Sequence, residues 1–445
     1  MALSRRALCS SLATLATAAV VPPVHASASA KLSDASPARA GTSAAPVGAS
    51  AVPVVTSPTP ASTPHAANIT LPDKANFPLD HIYLNAAYTH PFGRFAFEAG
   101  ETFLRARMND PTRSWPDNNA RDAAVAAFAR LINASPEDIA VVPSTMEGEN
   151  LIVQSLHLDK TTGVTTDAYH YSLPLYGELE KRGVPVAIAA PRDNRIELDD
   201  LERLVTNSTR LLAVSAVSSD TGFAHDLKPL CDMAHAKGAL VYADVIQAAG
   251  AVPLDVKATG IDFCCAGAYK WLMADFGIAF LYVRPDRLKD LQRVQVGWRQ
   301  YEDYTSHIYP FDPPGTPGVD YTLGSTTAAR FEVSTPSWEA LAVAERSLAY
   351  LEKVGVDTIA RHRTPMLEHL HSAQPAMGLK ALTPSVSQTP MAVFSFEGAA
   401  NRLGPALATA KIKVQLFRNR IRISPSVYND MSDIEQLLRT IASVA

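Results

Sequence analysis

The sequence lacks a strong excess of charge of either sign, and it is poor in cysteine. Its 445 residues carry a net charge of −4, so nucleic acid is not an expected partner. The cysteines are Cys9, Cys231, Cys264 and Cys265. Their number and spacing do not indicate a disulfide framework. No zinc-type spacing of cysteine and histidine is present either, so we predict no metal site.

Two common catalytic motifs are also missing. The sequence has neither the G-x-S-x-G elbow of many hydrolases nor the G-x-x-x-x-G-K loop that binds nucleotide phosphates. These absences argue against a hydrolase and against a nucleotide-binding protein.

The first 75 residues differ in kind from the rest. Arg5 and Arg6 precede an apolar segment over residues 7–21, and small residues follow. This pattern predicts an export signal over residues 1–30, and the paired arginines indicate the twin-arginine route to the periplasm. The apolar segment falls short of the roughly 20 residues that span a bilayer, so we expect no stable membrane anchor. Residues 31–75 are mostly Ala, Ser, Pro, Thr and Val, which predicts a disordered linker.

From residue 119 onward, apolar runs of strand length alternate with helical patterns. The predicted strands cover residues 139–142, 163–167, 184–190, 211–217, 239–243, 263–266 and 278–283. Their alternation with helices predicts an α/β fold with a large, doubly wound, mostly parallel sheet, whose ligands bind at the carboxyl ends of the strands.

The predicted domains are a large one over residues 76–335 and a smaller α+β one over residues 336–445. Residues 76–100 could join either of them. Residues 296–324, rich in Pro, Gly, Tyr and Asp, are expected to be irregular and functional.

Lys270 and Asp244 are the most informative pair of residues. Asp244 follows the predicted strand at 239–243, and Lys270 follows the next strand, at 263–266. The two could form a buried salt bridge. They could also hold the two ends of a conjugated ring, with the acid at a ring nitrogen and the lysine bonded to a carbonyl carbon. Spacing alone leaves both interpretations open.

Three motifs around this lysine resemble those of a known family. They are D-x-x-Q from Asp244 to Gln247, the segment Tyr269-Lys270-Trp271-Leu272, and the strand that begins at Gly277. Together they resemble the class V aminotransferases, a family of pyridoxal-phosphate (PLP) enzymes that includes cysteine desulfurases, kynureninases and isopenicillin N epimerase-like proteins. The likeness covers roughly residues 80–440. It implies fold type I of the PLP-dependent transferases, with PLP as the cofactor and Lys270 as its covalent attachment point.

The resemblance also assigns the phosphate end of the cofactor. The stretch from Ser144 to Asn150 reads as a strand end, a hydroxyl-rich turn and a helix start, which by itself fits either an ordinary helix cap or an anion site. It resembles the family's phosphate cup, which places Thr145 and Met146 beside the phosphate. A second segment resembles the motif R-F-E-x-G-T-P, whose threonine reaches the phosphate of the neighbouring subunit. Thr335 is the matching residue, which implies a homodimer with shared active sites.

Further family positions surround the ring. The resemblance places Asp244 at the ring nitrogen, Gln247 at the phenolic oxygen and Tyr269 beside the cofactor. In the family, an aromatic ring stacks on the pyridine from the loop that corresponds to the one after residue 167 here. We assign that role to His170, with Tyr169 as its rival.

The substrate site is implied at both ends of the folded chain. Asn85 and Ala86 match a segment whose backbone lines the substrate site, and Arg422 matches an arginine that binds the α-carboxylate of the substrate. The arginine sits in an R-x-S-P-x-x-Y-N pattern. A planar guanidinium suits this task because it binds a carboxylate through two parallel hydrogen bonds.

These assignments predict chemistry at Cα of a small amino acid, by transamination, β-elimination or epimerisation. Cysteine desulfurases use a mobile cysteine in the C-terminal domain, and none follows Cys265, so we do not expect a persulfide-forming desulfurase. The alternative is an exported PLP-fold protein that binds without catalysis. Retention of Lys270, Asp244 and Arg422 argues against that alternative, whereas the departure of Met146, Gly267 and Ser219 from common family choices is weak support for it.

Overall fold

The structure is a computed structural model that describes residues 69–112, 119–306, 319–384 and 387–444. The predicted export signal and most of the predicted linker lie outside these residues. The strands are β1 (Ile82–Tyr83), β2 (Ile139–Val142), β3 (Gly163–Asp167), β4 (Val186–Ala189), β5 (Thr209–Ser215), β6 (Leu240–Asp244), β7 (Phe263–Gly267), β8 (Ala279–Val283), β9 (Tyr301–Ser306), β10 (Val319–Leu323), β11 (Lys380–Ala381), β12 (Ala392–Ser395), β13 (Ile412–Lys413), β14 (Gln415–Phe417) and β15 (Arg420–Ile423).

Helices pack around these strands. They are α1 (Arg94–Asn109), α2 (Asn119–Leu131), α3 (Thr145–Ser155), α4 (Leu173–Lys181), α5 (Leu198–Glu202), α6 (Leu227–Ala236), α7 (Val256–Thr259), α8 (Thr327–Phe331), α9 (Trp338–Val354), α10 (Val356–Ala373), α11 (Ala399–Thr409) and α12 (Met431–Ala442). Short 3-10 turns occur at Pro136–Asp138, Pro285–Asp290, Trp298–Gln300 and Gln374–Met377.

The central sheet has seven strands in the order β2-β8-β7-β6-β5-β3-β4. Strand β8 runs antiparallel to its neighbours β2 and β7, and the other pairs are parallel. Every residue of β6 and β7 is buried, which fits strands covered by helices on both faces. The α/β fold with a mostly parallel sheet is therefore confirmed.

Three smaller sheets are also found in the described residues. One is antiparallel, in the order β11-β12-β15-β14, and carries its own apolar cluster with α11 and α12. Strand β1 pairs with β13 in parallel. Strands β9 and β10 form an antiparallel hairpin. This last finding corrects the prediction that residues 296–324 are irregular throughout; residues 307–318 lie outside the described part of the chain.

The turn after β6 brings the chain back against the lysine segment. Gly250 has a φ of +84°, and a Cβ there would lie 2.5 Å from the carbonyl oxygen of Trp271. Only glycine tolerates both the left-handed conformation and this approach. The turn thereby fixes the backbone that follows Lys270.

Neither a membrane span nor a disulfide is found in the described residues. No helix there is long and apolar enough to cross a bilayer. Cys231, Cys264 and Cys265 are free thiols, and all three are buried.

Candidate active site

A cavity of about 140 Å³ lies where strands β5 and β6 end and helix α3 begins. This edge of a parallel sheet is where α/β proteins bind their ligands. Six of the predicted cofactor residues line it: Thr145, Met146, Asp244, Gln247, Tyr269 and Lys270. The fold therefore gathers residues that are up to 125 positions apart in the sequence around one space.

Asp244 is the buried acid of this cavity. It is the last residue of β6, and its Oδ1 accepts a hydrogen bond of 2.9 Å from the backbone N–H of Ile246. Burial raises the pKa of the carboxyl group from 3.8 to about 6, and the nearby carboxylate of Glu149 adds to the rise. A bound cation beside this carboxylate would favour its charged form.

Lys270 is the amine of the cavity. Burial lowers the pKa of its ammonium group from 10.5 to about 8, and Arg422 lowers it further, whereas Asp244 opposes the shift. Within the described ranges no carboxylate forms an ion pair with Lys270, so the salt bridge that the spacing also allowed is not formed. A substantial fraction of neutral amine, the nucleophilic form, is therefore present near pH 8.

The start of helix α3 forms the anion-binding side of the cavity. Ser144 caps the helix by accepting a hydrogen bond from the N–H of Glu147. Thr145 follows, and its Oγ1 accepts a hydrogen bond of 2.8 Å from the N–H of Gly267. Because that oxygen already accepts from the protein, the hydroxyl hydrogen is left for a ligand. The first N–H groups of a helix have no intrahelical partner and favour anions.

Gln247 connects the cavity to the N-terminal segment. Its Nε2 donates to the carbonyl oxygen of Ala87 at 3.0 Å, and its Oε1 accepts from the indole Nε1 of Trp271 at 2.8 Å. Asn85 and Ala86 precede Ala87 and pair with Ser424, which comes directly after the strand β15 that carries Arg422. Neither Asn85 nor Ala86 lines the cavity itself. The buried Oδ1 of Asn85 has no hydrogen-bond partner.

Arg422 is a buried guanidinium without a carboxylate partner among the described residues. It is 5% exposed, and its Nη1 donates to the carbonyl oxygen of Ser219 at 2.8 Å. Its Nε has no partner. The nearby Asp220 pairs instead with Arg420, at 2.9 Å. Burial lowers the pKa of Arg422 to about 10. A buried, incompletely paired guanidinium is suited to bind an anion that arrives from outside.

His170 does not lie on the cavity wall, which corrects its predicted place on the face of the ring. Its Nε2 lies 2.7 Å from Oε1 of Glu149, and its Nδ1 lies 3.1 Å from Oγ of Ser215. The rival residue, Tyr169, packs against Phe223 instead. Tyr171 is the aromatic residue of this loop that lines the cavity.

Sequence reasoning missed Glu149, which lies behind the cavity and is fully buried. It shares the inward face of α3 with Thr145 and Ile152. That helical spacing was the available signal, because an acid placed among buried positions must have partners.

Thr335 lies apart from the other predicted residues. It lines a separate groove together with Pro143, Glu147 and Gly277, beside the first turn of α3. Its predicted contact with the phosphate of a second subunit stays a prediction.

Comparison with known proteins identifies the family. The model of the family "Aminotransferase class-V" matches residues 105–437. The chain belongs to the class V aminotransferases. It is 26% identical over 317 residues to an uncharacterized aminotransferase, YcbU, of Bacillus subtilis, covering 71% of this chain and 81% of that protein. A probable cysteine desulfurase of Methanothermobacter thermautotrophicus is 26% identical over 309 residues, with 66% of this chain and 72% of that protein covered.

A solved structure shows the same fold. The cysteine desulfurase from Thermococcus onnurineus NA1 superposes with a TM-score of 0.74 at 20% identity, over 85% of this chain and 98% of that one. This likeness confirms fold type I of the PLP-dependent transferases.

This class V aminotransferase is thus a PLP-dependent enzyme, and its cavity fits the cofactor. Lys270 offers an amine with a lowered pKa for the aldehyde, and Asp244 offers a buried acid for the ring nitrogen. Thr145 and the first N–H groups of α3 would hold the phosphate. The donor set therefore matches all three polar ends of PLP.

Proposed function

We propose that this enzyme acts on an α-amino acid whose carboxylate binds Arg422 and whose Cα proton moves to Lys270. The observation that supports it most directly is the guanidinium of Arg422, which is buried and unpaired with any described carboxylate, yet close enough to Lys270 to lower the pKa of its amine. A substrate carboxylate would complete the hydrogen bonds of the guanidinium and neutralise its charge.

Each residue has a role that its surroundings support. PLP, when bound, supplies a ring that accepts the electron pair left on Cα after the proton departs. Lys270 acts as the general base, because an amine with a pKa of about 8 is partly neutral at the pH where it works. Asp244 keeps the ring nitrogen protonated, and Gln247 has a second amide hydrogen available to the cavity after its contact with Ala87.

Transamination, β-elimination and epimerisation share this first proton transfer, and we propose that the reaction is one of these three. Tyr171 and Tyr269 contribute bulky aromatic side chains to the lining of a cavity of about 140 Å³, which supports a small side chain on the substrate.

We also propose that the enzyme forms no persulfide, although some relatives are named cysteine desulfurases. A cysteine that takes up sulfur must reach the substrate as a thiolate. Cys231, Cys264 and Cys265 are buried and do not line the cavity. Burial raises the pKa of the Cys231 thiol to about 12 and raises the pKa of the other two thiols as well.

The test measures exchange of the Cα hydrogen for deuterium in a panel of amino acids incubated with the PLP-loaded enzyme in heavy water. We expect exchange for at least one small amino acid, and none with the Lys270→Ala variant. Keto acid, ammonia, sulfide and the enantiomer are then assayed for each exchanging amino acid. Binding of PLP without any exchange would support the non-catalytic binding protein instead, and persulfide on the protein after incubation with cysteine would refute the exclusion of desulfurase chemistry.

Export and assembly are proposals of the same kind. We infer that residues 1–30 direct the enzyme to the periplasm, because Arg5 and Arg6 precede an apolar segment, and that two copies share active sites through Thr335. Fractionation of cells that express the full chain tests the first. Mixing Lys270→Ala with Thr335→Ala tests the second: shared sites require the mixture to differ from the average of the two variants.

A further inference from the structure

Glu149 has an unusually complete set of hydrogen-bond donors for a side chain that does not line the cavity. Its Oε1 accepts from His170 at 2.7 Å and from the phenol of Tyr176 at 2.6 Å. Its Oε2 accepts from the hydroxyl of Ser172 at 2.5 Å. Three donors around one buried carboxyl group stabilise its ionised form. Burial alone raises the pKa of Glu149, but these contacts lower it overall.

The charge on Glu149 determines which nitrogen of His170 carries hydrogen. A carboxylate accepts only, so Nε2 of His170 must be protonated. Its Nδ1, 3.1 Å from Oγ of Ser215, then has two states. In the neutral imidazole, Nδ1 accepts the hydroxyl hydrogen of Ser215. In the imidazolium, Nδ1 donates to the oxygen of Ser215.

Ser215 is where this difference reaches the active site. It lines the cavity, and it is the direct neighbour of Asp244 across strands β5 and β6. Its Oγ also accepts a hydrogen bond of 3.2 Å from the N–H of Tyr171. With an imidazolium at His170, both lone pairs of the hydroxyl oxygen are used, so its hydrogen must point to another acceptor.

Three carboxyl groups face His170 and favour the imidazolium: Glu149 from α3, Asp167 from β3 and Asp244 from β6. The phenol of Tyr176, from α4, also faces the ring but carries no charge. Burial lowers the pKa of His170, the carboxylates raise it, and the net shift is upward. Asp167 has a hydrogen-bond partner of its own in His225, at 2.9 Å, whereas Glu149 contacts the ring of His170 directly and is its main partner.

We propose that Glu149 holds His170 as an imidazolium, and that this charge makes the Ser215 hydroxyl a hydrogen-bond donor to the PLP bound in the active-site cavity. Glu149 and His170 are thus positioning residues that act through Ser215. We call this series of hydrogen bonds, from Glu149 through His170 to Ser215, the relay. The inference rests on PLP binding in this cavity but on no particular reaction of the substrate.

The first experiment observes His170 directly. Cofactor-free protein with ¹⁵N-labelled histidine is studied by NMR at pH 7.5, and His170 is assigned by comparison with His170→Gln. We expect both ring nitrogens of His170 to carry hydrogen in the wild type. Glu149→Gln removes the charge and should give a neutral ring at the same pH. A neutral His170 in the folded wild-type protein would overturn the proposal.

The second experiment measures the affinity for PLP by titration of the cofactor-free protein. Loss of one such hydrogen bond is worth about a three- to ten-fold drop in affinity. We expect this drop in Ser215→Ala and in Glu149→Gln, and no further drop in the double variant, because both substitutions remove the same donor. Thr166→Val is the control: the hydroxyl of Thr166 is buried on β3 without a partner, so affinity should stay within about two-fold.

The outcomes separate this inference from the function proposed above. Drops in affinity that multiply in the double variant would show that Glu149 and Ser215 act independently and would refute the relay. Thermal unfolding of each variant identifies a loss of affinity that comes from misfolding, and the measurement on the wild-type imidazole does not depend on any variant. A wild-type protein that binds PLP without catalysing exchange at Cα would contradict the proposed reaction but leave the relay in place.

Discussion

Replacing Arg422 with methionine should weaken substrate binding and at the same time stabilise the folded protein. The two effects share one cause. Arg422 is buried without a carboxylate partner among the described residues, so the folded chain bears the cost of a desolvated charge until a substrate arrives. Methionine has a similar length and no charge, so it removes both the cost and the binding partner.

The size of each effect follows from the contacts. Truncating one partner of a buried, hydrogen-bonded charge pair costs about 2–5 kcal/mol, so KM for the amino acid should rise by about 30-fold or more. Burial lowers the pKa of Arg422 from 12.5 to about 10. The arginine is charged in both the folded and the unfolded chain at pH 7.5, so this shift is a penalty of about 3 kcal/mol on folding. The variant also loses the hydrogen bond to Ser219, which lowers its stability by about 1 kcal/mol, so the net gain in unfolding free energy is about 2 kcal/mol.

The assay compares an exchanging amino acid with the amine that lacks its carboxylate, alongside urea unfolding of the cofactor-free protein. The wild type should prefer the amino acid strongly, and Arg422→Met should lose that preference. Arg420→Met is the matched control on the same strand, because Arg420 forms a more exposed ion pair with Asp220 and its loss should change KM by less than about five-fold. A folded Arg422→Met enzyme with nearly unchanged KM, or with a lower unfolding free energy, would refute the reasoning.

Three further predictions concern the cofactor end of the cavity. The rate at which PLP attaches to the cofactor-free protein should rise with pH, reach half its maximum near pH 8 and level off about one pH unit higher, as the amine of Lys270 becomes neutral; a rate that still climbs at pH 10 in stopped-flow absorbance would contradict this. Asp244→Asn should stabilise the cofactor-free protein by roughly 2–3 kcal/mol at pH 8, because the raised pKa of about 6 means that folding disfavours the ionised acid. The gain should vanish below pH 4, where the acid is protonated in both states, and urea unfolding at the two pH values measures it. Gly267→Ala should reduce PLP affinity several-fold, since the new Cβ would lie 3.1 Å from Oγ1 of Thr145, whereas Gly177→Ala, with no atom within 4 Å, should leave it unchanged in the same titration.

The buried strands of the central sheet were predictable because most of them appear in the sequence as runs of consecutive apolar residues. Strand β2 matches its predicted bounds, and strand β6 lies within one residue of its own. Both are covered by other elements, so apolar periodicity reports them directly. The hairpin of β9 and β10 was not predictable in this way, since its strands are polar and largely exposed and only their pairing defines them.

The sequence predicted which residues belong to the candidate site better than it predicted which way their side chains point. Lys270 and Asp244 end up around one cavity because the carboxyl ends of neighbouring strands meet at one edge of the sheet. His170 lies in a short turn after β3, where one residue of difference decides which side chain faces the ligand and which faces the core. The structure turns Tyr171 toward the cavity and His170 toward Glu149, and local sequence carries no record of that choice.

The contact between the N-terminal segment and Ser424 bears on how the protein is made. Ala87 donates its N–H to the hydroxyl of Ser424, 337 positions later, and its carbonyl oxygen accepts a hydrogen bond from Nε2 of Gln247. A ribosome synthesises residue 87 long before residue 424, so the N-terminal segment cannot contact Ser424 early in the growth of the chain. The hydrogen bond between Ala87 and Ser424 is therefore among the last contacts that a chain still being synthesised can form.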